Sequence, residues 1–298
     1  MAQLFYSEPE IIKREEESYL GFRAGQGIDL HIHSVYSDGI LSPQNIIEIA
    51  LVCQLAAISI TDHDQLTWDN HYPMELDIKG IEIIPGIELS CDYKTREIHL
   101  LGYYFDPDNS EIMEYSKKMH LQREIRAEKI LDRLQQFGID LSIDEVVEKA
   151  GPGIIARPHI AQLMLKKGYV HTFQEAFDKY LGEFGIANIQ KQHLDFIQGI
   201  ELIHKAGGLA FLAHPIFYQN LRLYDDLIDA GIDGIESIHP KHSQSDVQLY
   251  RDIAENYSLL ECGGSDFHGF YTAESAIGHP FVHADILTKI KEKLVSRN

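Results

Sequence analysis

Cysteine is scarce in this chain of 298 residues: Cys53, Cys91 and Cys262 stand far apart and form no CxxC pair. That excludes a disulfide framework and a cysteine zinc ribbon, and leaves buried free thiols as the expectation. Long apolar runs are missing too, with no stretch approaching the roughly 18 residues of a membrane-spanning helix. The opening stretch "MAQLFYSEPEIIKREEES" carries acidic residues where a secretory leader has its apolar segment, so the sequence reads as cytoplasmic and without a membrane partner. Basic charge is short as well. With 26 Lys and Arg against 46 Asp and Glu, the formal net charge is −20, which excludes a basic face that grips duplex DNA by its phosphates. A GxSxG elbow and a GxxxxGK[ST] loop are both absent, so covalent serine hydrolysis and P-loop chemistry lack their usual motifs.

What the chain has instead is alternation. "IDLHIH" (28–33) is strand-like, "SPQNIIEIALVCQ" (42–54) has a Ser-Pro start and helical apolar spacing, and "LAAISITDHD" (55–64) returns to a buried strand ending in polar residues. Strand-like segments recur at 80–90, 96–105, 207–215, 231–240 and 258–269. Strands alternating with helices predict a parallel sheet with crossovers, closed or nearly closed into a barrel. Residues 107–195 break the pattern and read as successive helices, an inserted helical subdomain. Residues 1–27 read as a polar arm, which leaves 28–106 and 196–298 for the barrel.

The polar residues gather at the C-terminal ends of the strands. His31 and His33 end the first; Asp62, His63 and Asp64 the second; Glu88 the third. His99, His214, Glu236, His239, Asp266 and His268 continue the series. In a barrel these ends converge on one face, and residues i and i+2 of a strand point to the same side. His31 with His33, and Asp266 with His268, can therefore share a metal. Taken alone, Asp266 or Glu236 would be a hydrogen-bonded strand-end group; separate roles of that kind do not predict so many histidines at strand ends. Mixed imidazole and carboxylate ligands suit zinc, manganese or iron, and bound cations would offset part of the negative charge.

"HIHSVYSDG", "ITDHD", "PGIELS", "IHLLGYY", "LAHP" and "GSDFHG", in that order, resemble the polymerase-and-histidinol-phosphatase (PHP) metal-dependent phosphoesterases. The segment "IARPHIAQLM" narrows the resemblance to the branch of 3′,5′-nucleotide bisphosphate phosphatases and 5′-to-3′ exoribonucleases. The resemblance implies a distorted, TIM-like (β/α)7 barrel with a trinuclear site. It assigns His31, His33, Glu88 and Asp266 to a first ion, Glu88 with His99 and His214 to a second, and Asp38, His63 and His268 to a third. The turn "SDG" would fold Asp38 back toward the strand ends, with Gly39 relaxing the backbone. Two departures stand out: the arm is longer than the resemblance implies, and "IANIQK" (186–191) replaces an aromatic-containing stretch while keeping Lys191 basic.

Two metals sharing a carboxylate lead to phosphoester hydrolysis by an activated water. Asp64 and His239 are candidates for the leaving-group proton, and each could equally be a supporting residue. Arg157, His159 and Lys191 form a candidate clamp for a second phosphate, set against the plainer reading of a surface arginine beside a capping histidine. The expected substrate is a 5′-phosphorylated nucleotide or a short single-stranded oligonucleotide, which only local basic groups need to face. The alternatives are a small-metabolite phosphatase, such as one for histidinol phosphate, and a non-catalytic scaffold. His71, His120, His171, His193, His204, His242, His279 and His283 fall outside the motifs and read as surface or structural.

Overall fold

The computed structural model describes residues 25–67, 77–151, 153–218, 221–269 and 276–297. The arm up to residue 24 and His71 lie outside them. Among the described residues eleven strands make two sheets. The first has the order β11 (Val282–His283), β1 (Gly27–Ile32), β2 (Ala57–Ile60), β4 (Ile81–Ile83), β3 (Asp77–Ile78). The second runs β10 (Leu260–Gly263), β9 (Gly234–Ile238), β8 (Leu209–Leu212), β6 (Arg96–Tyr103), β5 (Gly86–Tyr93), β7 (Leu194–Asp195). Single parallel bridges, Ile32 to Phe267 and His63 to Glu88, join one sheet to the other.

The expected parallel order is broken at β6, which is antiparallel to both β5 and β8. The reason is local. Only Lys94 and Thr95 separate β5 from β6, and Lys94 takes a left-handed φ of 58°, so the chain turns back as a hairpin without a crossover.

One apolar cluster draws on both sheets: Ile28 and Leu30 of β1, Leu101 and Tyr103 of β6, and Leu209 and Phe211 of β8. Each pair is two residues apart and so shares a face. Between Asp29 and Ile32 the β1–β2 register shifts, and this irregularity changes which residues face inward. Beyond it Ile32 packs in the outer cluster with Ile46 and Ile49 of the helix Pro43–Val52. His31 and His33 take the inner side instead.

Between Tyr103 and Leu194 the described residues form helices and no strand. The principal ones are Ser110–Gln135, Ile143–Ala150 and Arg157–Lys166. They share a core of their own that includes Ile130, Leu134, Val146, Ile160 and Met164. Asn109 caps the first, and Ser142 with Glu145 forms a reciprocal cap on the second. This block is tied to the loops that follow β1 and β2: Ile154 N donates to Tyr36 O (2.9 Å) and Leu66 N to Ser116 Oγ (3.2 Å). No helix among the described residues is long and apolar enough to cross a membrane.

Candidate metal centre

Glu88, fully buried on β5, is the hub of the strand-end residues. Its Oε1 lies 2.8 Å from His99 Nδ1 and 2.9 Å from His214 Nε2. Its Oε2 lies 3.1 Å from His63 Nδ1, 3.2 Å from His33 Nε2 and 3.3 Å from His31 Nε2. Asp266 Oδ1 approaches His31 Nε2 at 3.4 Å and His33 Nε2 at 3.2 Å. Asp38 Oδ1 is 3.3 Å from His268 Nε2, and Oδ2 is 3.9 Å from His63 Nε2. The nine residues expected to hold metal thus stand in one cluster, with overlapping groups of ligand atoms around His31–His33–Asp266, His31–Glu88–His214, His63–Glu88–His99 and His33–Asp38–His63–His268.

Hydrogen bonds on the far side of the rings decide what faces the centre. His268 Nδ1 donates to the main-chain oxygen of Asp266 (2.9 Å), so the neutral ring turns a lone pair at Nε2 toward Asp38. The hydroxyl of Ser37 donates to Asp62 (2.6 Å) and accepts from His33 Nδ1 (3.4 Å). His31 Nδ1 donates to Glu236 Oε1 (3.0 Å). Three ring lone pairs therefore meet carboxylate oxygens, acceptor against acceptor. Buried His33 Nε2, Asp38 Oδ1 and His63 Nδ1 have no hydrogen-bond partner. Such an arrangement needs a cation, either a proton or a metal ion.

The proton affinities respond accordingly. Burial lowers that of His268, but the Asp38 and Asp266 carboxylates outweigh it and hold the ring at about 10. Burial also opposes charge on His99, which Glu88 and Glu97 bring up to about 9. Burial drives His63 down to about 3, and Glu88 and Asp38 do not offset it. The donor set fits divalent ions that take imidazole nitrogen and carboxylate oxygen together.

A ring of supporting residues fixes these donors. Glu236 joins His31 to the amide of His214, whose N–H reaches Glu236 Oε2 at 2.6 Å. A carboxylate behind a ligating imidazole fixes its tautomer and orientation. Tyr218 accepts from His99 N (2.9 Å) and its hydroxyl stands 3.2 Å from His214 Nδ1. Asp62, though at a strand end, faces away from the centre: it accepts from Ser34 N, Ser34 Oγ, Ser37 Oγ and Thr67 Oγ1 at 2.5–2.7 Å and shapes the turn that carries Asp38. In that turn Gly39 serves by close approach, since a Cβ there would lie 2.3 Å from His33 O. Asp64, His214 and Asp266 hold left-handed backbone, with φ of 54°, 28° and 47°.

The PHP domain family matches residues 29–258. The chain belongs to the PHP family. It is 32% identical over 245 residues to a 5′-3′ exoribonuclease of Haemophilus influenzae, covering 80% of this chain and 89% of that one. It is 30% identical over 258 residues to a 3′,5′-nucleoside bisphosphate phosphatase of Chromobacterium violaceum, covering 85% and 90%. Among solved structures, a metal-dependent phosphoesterase from Bifidobacterium adolescentis superposes with a TM-score of 0.77 at 26% identity, over 92% of this chain and 96% of that one. An amidohydrolase from Chromobacterium violaceum with bound sulfate gives 0.76 at 29% identity, over 91% and 96%. This is a metal-dependent phosphoesterase, with a mixed α/β PHP fold.

In this PHP phosphoesterase the other expected residues take distinct places. Asp64 is fully buried and accepts from Arg123, from Tyr115 Oη (2.7 Å) and from Ser90 N (2.8 Å). Burial raises its pKa, but Arg123 and Lys191 outweigh that and hold it at about 2. It is thereby tied to the helical block and away from the opening, which is lined by His63, His99, His214 and their neighbours. Lys241 N donates to His239 Nδ1 (3.1 Å), so neutral His239 carries its proton on Nε2, 3.2 Å from Asp266 Oδ2.

His159 Nδ1 accepts from Ala156 N (3.1 Å) and closes the start of the helix Arg157–Lys166. Arg157 donates to Leu181 O (2.9 Å), and Lys191 donates to Glu97 Oε1 (2.7 Å), which also meets His99 Nε2 at 3.3 Å. Two further cations, Arg123 and Arg126 of the helix Ser110–Gln135, escape a reading of the sequence. Arg126 Nε donates to Ile189 O (2.7 Å). Burial, then repulsion from Arg157 and Arg123, lowers its pKa to about 10. Arg126 and Arg157 are near enough to Arg123 and Glu97 for their charges to be felt, while Arg123 and Lys191 are ion-paired with Asp64 and Glu97.

Proposed function

We propose that the chain hydrolyses phosphate esters of 5′-phosphorylated nucleotides, either 3′,5′-bisphosphates or short 5′-phosphorylated single-stranded oligonucleotides. Two or three divalent ions, manganese, iron or zinc, would be held by His31, His33, Asp38, His63, Glu88, His99, His214, Asp266 and His268. When bound, such ions supply Lewis acidity toward a phosphoryl group and make water a competent nucleophile near neutral pH. The observation that carries the reading is the pairing of two features: ring lone pairs set against carboxylates and, joined to them through Glu97, which meets both His99 and Lys191, a group of cations in which Arg126 and Arg157 form no ion pair among the described residues. The cations, Arg157 and Lys191 with Arg123 and Arg126, suit a phosphate that is bound and not cleaved. His159 sets the first turn of the helix that presents Arg157.

Of the two proton-transfer candidates, His239 is the one beside the cluster; with Nδ1 accepting from Lys241 N and its proton turned to Asp266 it orients that carboxylate, while Asp64 holds Arg123 in place. We read residues 28–106 and 196–298, both of which contribute strands to each sheet, as a distorted (β/α)7 barrel, with 107–195 as its substrate-binding cap. The names of two relatives, an exoribonuclease and a nucleoside bisphosphate phosphatase, support a nucleotide substrate. The test is a parallel assay of metal-reconstituted protein on adenosine 3′,5′-bisphosphate, 5′-phosphorylated and 5′-hydroxyl RNA oligomers, and histidinol phosphate. Release of phosphate or nucleotide from the first two is expected. Turnover of histidinol phosphate alone would overturn the proposal.

A further inference from the structure

We propose that Phe217 is the platform on which the substrate's nucleobase stacks. The inference rests on the nucleotide reading above and adds the residue that senses the base. His214 is followed at once by the 3₁₀ turn Pro215–Phe217, closed by a hydrogen bond from Phe217 N to His214 O (3.2 Å). That turn sets the Phe217 ring 5.3 Å from the His214 ring and 6.1 Å from the His239 ring, at interplanar angles of 61° and 82°. Two held imidazoles thus meet the phenyl ring in T-shaped contacts, a favoured aromatic geometry.

Despite those contacts Phe217 remains 58% exposed, while the adjacent Tyr218 is 8% exposed with its hydroxyl engaged by His99 and His214. Single exposed apolar side chains are ordinary on a protein surface, and what sets Phe217 apart is where it stands. Phe217 lines the same opening, about 340 Å³, as His63, Glu88 and His99, and is the one described lining residue without a hydrogen-bonding side chain. The others can meet phosphate and cations. A phenyl ring offers no hydrogen bond and presents a face well suited to another flat, apolar one. Every nucleobase has such a face, so stacking there is tolerant of base identity. A sugar phosphate without a base offers Phe217 nothing to stack on.

The experiment compares wild type, Phe217→Ala, Phe217→Leu and Phe217→Tyr, all metal-loaded, on adenosine 3′,5′-bisphosphate and on base-free ribose 3,5-bisphosphate. Calorimetric binding of adenosine 5′-phosphate is measured alongside. For the Ala and Leu variants the expected result is a loss of roughly tenfold or more in kcat/KM on the base-bearing substrate, mostly through KM, with nucleotide binding weakened in parallel. On the base-free substrate all four proteins should agree, and Phe217→Tyr should keep near wild-type behaviour on both. Equal loss on the two substrates would overturn the proposal in favour of a prop for His214; no loss on either would overturn it as well and leave Phe217 without a role in turnover. A wild type that turns over neither of these substrates nor a 5′-phosphorylated RNA oligomer overturns the nucleotide reading itself, and the role of Phe217 falls with it.

Discussion

Arg123, on the long helix Ser110–Gln135, donates to Asp64 in the loop after β2, and both side chains are buried. The pair ties the helical block to both sheets, since Asp64 follows β2 and also accepts from Ser90 N of β5. Removing one partner strands the other charge in a dry environment, which costs about 3–5 kcal/mol. Arg123→Met and Asp64→Asn should each lower stability in urea unfolding of the metal-free protein. The double variant should lose less than the two single losses combined, because the interaction is shared.

Glu88→Gln keeps shape and removes the charge on which five imidazoles converge. We expect the fold to persist by circular dichroism and bound metal to fall by at least one equivalent in elemental analysis. Turnover should drop by more than about a hundredfold, beyond what loss of a supporting residue does.

Glu236 touches the centre only through His31 and the amide of His214. Glu236→Ala should therefore weaken metal affinity by about 10–100-fold in a chelator competition titration. Saturating metal should restore most of the activity.

Arg157 and Arg126 bind main-chain carbonyls and form no ion pair among the described residues, so both have charge to spare for an anion. A charge-assisted contact is worth about 1.5–3 kcal/mol. Arg157→Ala should accordingly lose roughly ten- to hundredfold in kcat/KM on a 3′,5′-bisphosphate. A nucleoside 3′-monophosphate, lacking the extra phosphate, should be spared. An equal loss on both would place Arg157 at the reacting phosphate.

Far from the centre, buried Asp233 accepts from His204 Nε2 (2.7 Å), Ala210 N (2.9 Å) and Arg297 (3.1 Å). Burial raises its pKa, but these partners outweigh that and hold it below 3.8. A carboxyl whose folded pKa is depressed stabilises the fold above its unfolded pKa, and the contribution fades as pH falls through the folded value. Asp233→Asn should destabilise by about 1–3 kcal/mol at pH 7. The gap from wild type should narrow in urea unfolding below about pH 4.

The ligand cluster was legible in the sequence because apolar strands ended, one after another, in His, Asp or Glu, and strand ends converge in this class of fold. His31 and His33 could be paired by their spacing, yet the register shift that turns them inward leaves no mark in the residue pattern. The reversal at β6 depends on a two-residue turn at Lys94 that has no glycine to announce it. Arg123 and Arg126 were hidden for another reason. On a helix rich in charge they look like solvated side chains, and only the packing of that helix over Asp64 and Ile189 brings them to the site. Phe217 likewise sits in an apolar run, "PIFY", where burial is the ordinary expectation.

The helix that bears Arg123 also bears Tyr115, which bonds the same Asp64, and Arg126, which is latched to Ile189. Tyr115 and Arg123 thus hold this helix to Asp64 at two points. On the proposed reading the protein would act as a ruler, the span between an uncleaved phosphate and the reacting one being set when the chain folds. A substrate would then be selected by reach as much as by charge, and one whose two phosphates stand too close or too far apart would gain nothing from the second.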